Sequence, residues 1–279
     1  MPATLRSLGV RPSKRLGQNF LCDPRVAERI AALIEDPDEP VVEIGPGLGA
    51  LSLRLASTGR RFVAVELDLR LAEHMERELR PHPGARVVRG DILDQRLDAL
   101  IPDAERVTVV GNLPYSITTP ILEWIVRQAG RVRRALIMAQ REFAERLTAE
   151  PGTKAYGPIS VFVGLNAEVR SRFRVSPGAF HPRPEVDSML LEMTPRGYPG
   201  SVAEEREAAS VVARAAMGSR RKTLANALAR GLRLDGFETR ALLGEAMLDG
   251  ARRGETLSIA EFLTLARAWI RRGSPRGEA

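Results

Sequence analysis

The sequence predicts an α/β fold, a doubly wound parallel sheet followed by a smaller all-helical domain, from three observations. From residue 41 onward, short apolar runs alternate with longer amphipathic segments, the pattern of strands joined by helices that cover a parallel sheet. The first run passes directly into a glycine-rich turn, Gly45-Pro-Gly47-Leu-Gly49, as at the first strand-to-helix turn of such sheets. Beyond a stretch dense in proline and glycine, TPRGYPG at 194–200, every periodic segment is helical.

Taken in order, 41–44, 62–65, 86–89, 107–110 and 135–139 read as strands, with helices at 51–58, 69–80, 119–128 and 141–149. Segments 159–165 and 188–193 are strand-like with no long helix between them, which points to an antiparallel edge on the sheet. After the linker, 204–217, 223–230, 238–243 and 259–271 carry apolar residues at helical spacing. Ser258 and Glu261 form a capping box at the start of the last. The expected domains are 1–195, Rossmann-like with a basic N-terminal arm, and 196–279, helical.

Composition narrows the function. At 44% hydrophobic residues, the 279-residue chain can bury a sizeable core. Its 42 basic residues, only three of them lysine, stand against 35 acidic ones, giving a net charge of +7. The excess sits at the ends: +4 over residues 1–25, −2 over 26–195 and +5 over 196–279. A near-neutral body between basic attachments fits a nucleic-acid partner, and a solvated face is the alternative. Cys22 is the single cysteine, which excludes a disulfide framework or a cysteine-based zinc site, and His74, His82 and His181 lack metal-ligand spacing. With no apolar run of about 18 residues and no apolar leader, the expected location is the cytoplasm.

The carboxyl ends of successive strands carry the chemistry. Glycines at 45, 47 and 49 let the backbone approach a ligand that a side chain would block. No GK[ST] follows, which disfavours a nucleoside triphosphatase. Glu66 ends the second strand, where a carboxylate accepts ribose hydroxyls. Asp91, after the third, is placed to accept from an adenine amino group; alone it reads as a turn residue. The fourth strand ends in Gly111-Asn112-Leu113-Pro114-Tyr115. An exocyclic adenine amine is a poor nucleophile because its lone pair is delocalised into the ring. An Asn112 side-chain oxygen and a Pro114 carbonyl, each accepting one amine hydrogen, favour a more pyramidal nitrogen and stabilise the developing positive charge. Tyr115 offers a stacking face for an extruded base. Phe180, in the proline-stiffened run Phe180-His-Pro-Arg-Pro, offers a second; the alternative is a core phenylalanine beneath the loop.

These motifs, together with Gly17-Gln-Asn19-Phe20-Leu21, Arg220-Arg221-Lys222-Thr-Leu and Leu257-Ser-Ile-Ala-Glu-Phe-Leu, resemble the KsgA/RsmA family of S-adenosyl-L-methionine-dependent rRNA adenine N6,N6-dimethyltransferases. The resemblance implies four methyl transfers to two adjacent adenosines in a hairpin loop near the 3′ end of 16S rRNA in the 30S particle, by a monomer, with a further role in subunit assembly. It implies that Asn19 and Leu21 contact the cofactor from the arm and that Gly45 and Gly47 lie under its methionine part. Glu66 then holds the ribose, Asp91 the adenine, and Asn112 meets both cofactor and target. Arg11, Lys14 and Arg15 in the arm, and Arg220, Arg221 and Lys222 in the helical domain, are the expected contacts to RNA phosphates. Two alternatives stay open: a relative acting on large-subunit rRNA, and a non-catalytic nucleic-acid-binding factor on the same fold.

Overall fold

The computed structural model describes residues 2–12, 18–113, 117–219 and 221–273. The chain divides into two compact units, Met1–Ala144 with Val169–Pro195, and Glu145–Glu168 with Arg196–Ala279.

The chain opens with α1 (Pro2–Ser7), β1 (Phe20–Leu21), α2 (Pro24–Ala31), β2 (Val41–Ile44), α3 (Ser52–Ala56), β3 (Phe62–Glu66), α4 (Leu69–Leu79), β4 (Ala85–Arg89), α5 (Leu97–Leu100), β5 (Val107–Asn112), α6 (Thr118–Arg127) and β6 (Val132–Gln140). There follow α7 (Arg141–Leu147), α8 (Pro158–Asn166), β7 (Ala167–Val175), β8 (Phe180–His181) and β9 (Ser188–Pro195). A seven-stranded sheet has the order β4-β3-β2-β5-β6-β9-β7, parallel from β4 through β6, with β9 antiparallel to β6. β2 and β3 are buried along their whole length, as strands covered on both faces must be. The chain leaves β2 for β3 on one side and returns to β5 on the other. Ligands in open α/β sheets bind beyond the strand ends at such a reversal.

Local sequence fixes the helix that follows β3. Asp68 caps α4 through its carboxylate, which accepts from the amides of Arg70 (2.9 Å) and Leu71 (3.2 Å), worth about 1 kcal/mol. Leu71, Ala72, Met75 and Leu79 then bury one face of that helix.

The second unit is helical, with α9 (Ala203–Met217), α10 (Leu224–Gly231), α11 (Gly236–Glu245) and α12 (Ile259–Arg271). The capping box of α12 is present: Ser258 Oγ accepts from the Glu261 amide (3.2 Å) and Glu261 Oε2 from the Ser258 amide (2.7 Å). Residues 145–168, expected in the first domain, pack with this unit. Among them, 159–165 is α8 and not the expected strand. Ile159, Val161, Val163 and Leu165 are all buried, so no polar face marks the helical period. Pro158 stands at the first helical position, and the Gly157 amide donates to Ser160 Oγ (3.0 Å). Val161 and Leu165 join Ala209, Val212, Leu224, Leu228, Phe262 and Ala266 in the core, and the Tyr156 hydroxyl donates to the Leu257 carbonyl (2.9 Å). No helix among the described residues is long and apolar enough to cross a membrane.

Candidate active site

A cavity enclosing about 450 Å³, its open mouth included, lies at the carboxyl ends of β2 and β5. Its lining includes Phe20 and Leu21 from the arm, Gly45, Gly47 and Leu48 from the turn after β2, and Gly111 and Asn112 from β5. The glycines serve two needs. Gly45 has φ +65°, and a Cβ there meets nothing within 4 Å, so any side chain would stand free above a strained backbone. Gly47 has φ +59°, and a Cβ there would come within 2.8 Å of the Phe20 ring. The arm therefore lies directly on the glycine turn. Leu5, Val10 and Phe20 share a small apolar cluster with Leu48 and Leu71, and the Arg70 guanidinium donates to the Gly9 carbonyl.

Two carboxyls are buried behind this turn. Glu66, 6% exposed, accepts from the amides of Gly47 (3.2 Å) and Asp68 (3.0 Å). Burial raises its pKa against the opposing effect of those amides. Glu43, 3% exposed in the middle of β2, accepts from Ser52 Oγ (2.6 Å), and burial pushes its pKa up to about 8. Glu43 lines the cavity and was not among the residues singled out from sequence; its signal was an acid inside an otherwise apolar strand. Asp91 accepts from the Leu93 amide (2.9 Å) and caps the short turn after β4. Glu66 and Asp91 stand at the ends of neighbouring strands, outside the cavity's lining.

Asn112 is half-buried at the end of β5, and its Nδ2 donates to the main-chain carbonyl of Asn19 (2.6 Å). The structure thus brings Asn19, Leu21, Gly45, Gly47 and Asn112 together. Pro114 and Tyr115 lie outside the described residues. Phe180 is 5% exposed, pairs with Leu21 in the two-stranded β1–β8 ribbon, and belongs to the same apolar core as Leu21, Ile30 and Val175. The open stacking face expected of it is therefore absent here: packing against the core has taken most of the ring.

In the second unit, α9 and α10 approach so closely that a Cβ on Gly231 would stand 2.6 Å from that of Ala215. The open groove beside this contact encloses about 860 Å³ and carries Arg214 from one helix and Arg230 from the other. Neither side chain has an ion pair or hydrogen bond among the described residues. Other arginines of the unit are neutralised, Arg267 by Glu205 (2.9 Å) and Arg271 by Glu245 (2.5 Å). Arg221 and Lys222, between the two helices, are exposed, as is Arg11 in the arm; Lys14, Arg15 and Arg220 lie outside the described residues. Sequence spacing gave no sign of Arg214 and Arg230 as a pair.

Comparison with known proteins identifies the chemistry. The family model described as ribosomal RNA adenine dimethylase matches residues 10–265. The chain belongs to that family. This dimethylase is 41% identical over 273 residues to the ribosomal RNA small subunit methyltransferase A of Geobacter metallireducens, covering 96% of this chain and 99% of the relative. It is 41% identical over 266 residues to the protein of the same name from Myxococcus xanthus, covering 95% and 93%. Among solved structures, the 23S rRNA methyltransferase ErmE is 28% identical with a TM-score of 0.65, covering 90% of this chain and 99% of ErmE. A dimethyladenosine transferase from Plasmodium falciparum, 22% identical with a TM-score of 0.73 and covering 91% and 98%, shares the fold. The dimethylase is an rRNA adenine methyltransferase that uses S-adenosyl-L-methionine, on a Rossmann-like sheet with a helical C-terminal part.

The residues present fit that cofactor. A polar, cationic ligand with a ribose needs close backbone approach and buried acceptors, and the cavity supplies a side-chain-free Gly45, the glycine turn and the Glu43 carboxyl, with the Glu66 carboxyl buried behind the turn.

Proposed function

We propose that this enzyme dimethylates the N6 amines of two adjacent adenosines in a hairpin loop near the 3′ end of 16S rRNA, acting as a monomer on the 30S particle in the cytoplasm. The observation that carries the reading is the near-complete match, at 41% identity, to proteins named for the small subunit. When bound, S-adenosyl-L-methionine supplies an electrophilic methyl on a sulfonium. The protein's share is to hold and align the target. For the first methyl, Asn112 Oδ1 accepts one hydrogen of the target amine and the Pro114 carbonyl the other, and for the second the single remaining hydrogen is held by one of them. This keeps the nitrogen lone pair free for the methyl and meets the developing positive charge with fixed dipoles, and one proton leaves the nitrogen for solvent with each transfer. Tyr115 stacks on the extruded base. Asn19, Leu21, Gly45 and Gly47 line the cofactor's place, with Glu66 accepting from the ribose and Asp91 from the adenine. Phe180 acts chiefly by stiffening the ribbon that holds Leu21. Arg11, Lys14 and Arg15 of the arm, and Arg220, Arg221 and Lys222 with the Arg214–Arg230 groove, neutralise RNA phosphates.

The test is transfer of labelled methyl to undermethylated 30S subunits, with 50S subunits and free 16S rRNA alongside. Mass spectrometry should find N6,N6-dimethyladenosine in small-subunit RNA; labelling confined to 50S would overturn the assignment. Asn112→Ala should abolish transfer while leaving 30S binding intact.

A further inference from the structure

We propose that the main-chain carbonyl of Asn19 is a positioning group for the reaction: it holds the Asn112 amide with its oxygen toward the target amine, so a seated N-terminal arm is a condition of catalysis. The proposal rests on the reading that Asn112 Oδ1 accepts from the amine.

The two ends of an asparagine amide are nearly the same size but opposite in chemistry, since Nδ2 only donates and Oδ1 only accepts. A carbonyl only accepts, so the end of Asn112 that lies 2.6 Å from the Asn19 oxygen must be Nδ2. Oδ1 is thereby turned to the other side. Turned over, the amide would present N–H groups to an amine that itself presents N–H groups, and the acceptor would be lost. One partly shielded hydrogen bond biases such a turn about fivefold.

The two partners are held in different ways. Asn112 is fixed by the sheet, where it pairs with Met138 of β6 while Gly111 pairs with Ile137. The Asn19 carbonyl is placed by the arm and by what the arm pairs with. It enters β1, whose Phe20 pairs with His181 and whose Leu21 pairs with Phe180, and the Cys22 amide donates to the Ala179 carbonyl (2.7 Å). Phe20 seats on Gly47, and behind it Leu5 and Val10 pack with Leu48 and Leu71 while Arg70 holds the Gly9 carbonyl. The arm is thus docked through the β1–β8 ribbon and through a small apolar cluster of its own, and the amide's orientation depends on that docking. The same segment that walls the cofactor cavity with Phe20 and Leu21 also sets the acceptor for the second substrate. A site assembled this way aligns the amine only when the cofactor's side wall is closed.

Two measurements on the full chain test this. The first is limited trypsinolysis of the free protein, following cleavage at Arg6, Lys14 and Arg15. Asn112→Asp presents only acceptors to the Asn19 carbonyl, so arm cleavage should rise at least about fivefold over wild type, with Asn112→Ala in between because it loses the bond without adding repulsion. The second is kcat at saturating cofactor and 30S for Val10→Ser and Arg70→Met, which loosen the arm away from the cavity. A fivefold fall in kcat with the 30S KM unchanged is expected; an arm that serves cofactor binding alone would leave kcat unmoved at saturation. Unchanged arm cleavage in Asn112→Asp, or unchanged kcat in both arm variants, would overturn the positioning role. Asn112→Ala that still transfers methyl would instead overturn the amine-acceptor reading beneath it, whatever the arm does.

Discussion

Glu43 shows how a single residue can be tuned against its own burial. Its carboxyl is enclosed in β2, holds only the Ser52 hydroxyl, and lies near the Glu66 carboxyl, so its pKa stands at about 8. A folded-state value above the unfolded one means that the native state binds more protons across the interval between them. Its contribution to stability is then complete below about pH 4.5 and is lost as pH rises through about 8. Glu66, raised in the same direction, adds to that trend. Glu43→Gln keeps an oxygen for the Ser52 hydroxyl and removes the charge. It should stabilise the free protein by roughly 1–3 kcal/mol at pH 8.5 and by little at pH 5, read as a Tm gain that grows with pH. A pH-independent gain would mean that Glu43 is already charged in the fold. Phe180 poses a different question at the same scale, because burial and a stacking role make opposite forecasts. Phe180→Leu should lower Tm, at a cost of about 1–1.5 kcal/mol, while leaving the KM for 30S close to wild type. A raised KM or reduced kcat with Tm unchanged would restore the stacking role.

At the scale of elements, the sequence announces itself where polar and apolar residues alternate and falls silent where they do not. β2, β3, β5 and β6 are legible because each short apolar run is followed by a turn and a helical segment, and 86–89 reads as a strand although no helix was expected between it and β5. α8 is not legible, because burial on every side removes the period by which a helix is known. β7, with its arginines at 170, 172 and 174, gives no apolar run at all and was not anticipated; its charges suit the outer strand of a sheet, where they discourage pairing with another chain. The contact between α9 and α10 belongs to the same class, since nothing in the chain says that Gly231 faces Ala215. With the two helices this close, Gly231→Val must push them apart or strain the backbone, and should cost about 1–3 kcal/mol of stability. Thermal unfolding of the variant reads this directly. Retained Tm would show that the helices separate freely, and the groove beside them would then have no fixed width.

For the molecule as a whole, the charge excess was visible in composition and its location in the sequence, but which arginines are available was visible in neither. Of the basic residues in 196–279, Arg252, Arg267 and Arg271 are matched by Glu261, Glu205 and Glu245, partners as many as 62 residues away along the chain. Such pairing is a product of the fold, and exposed pairs of this kind add little stability. What they accomplish is to leave the positive charge on exposed groups with no partner among the described residues, and these include Arg214 and Arg230 in the groove and Arg221 and Lys222 between the two helices. Each phosphate neutralised by a cation releases condensed counterions, so contacts at this surface have a signature that steric or stability effects lack, namely the slope of affinity against salt. Arg214→Glu with Arg230→Glu should weaken 30S binding most at low salt and reduce the magnitude of the log–log slope by about 1–2, with Tm preserved because neither side chain is paired among the described residues. Arg267→Glu, at a neutralised position, should leave that slope unchanged. Equal slopes for the wild type and the double variant would remove this groove from the RNA-binding surface.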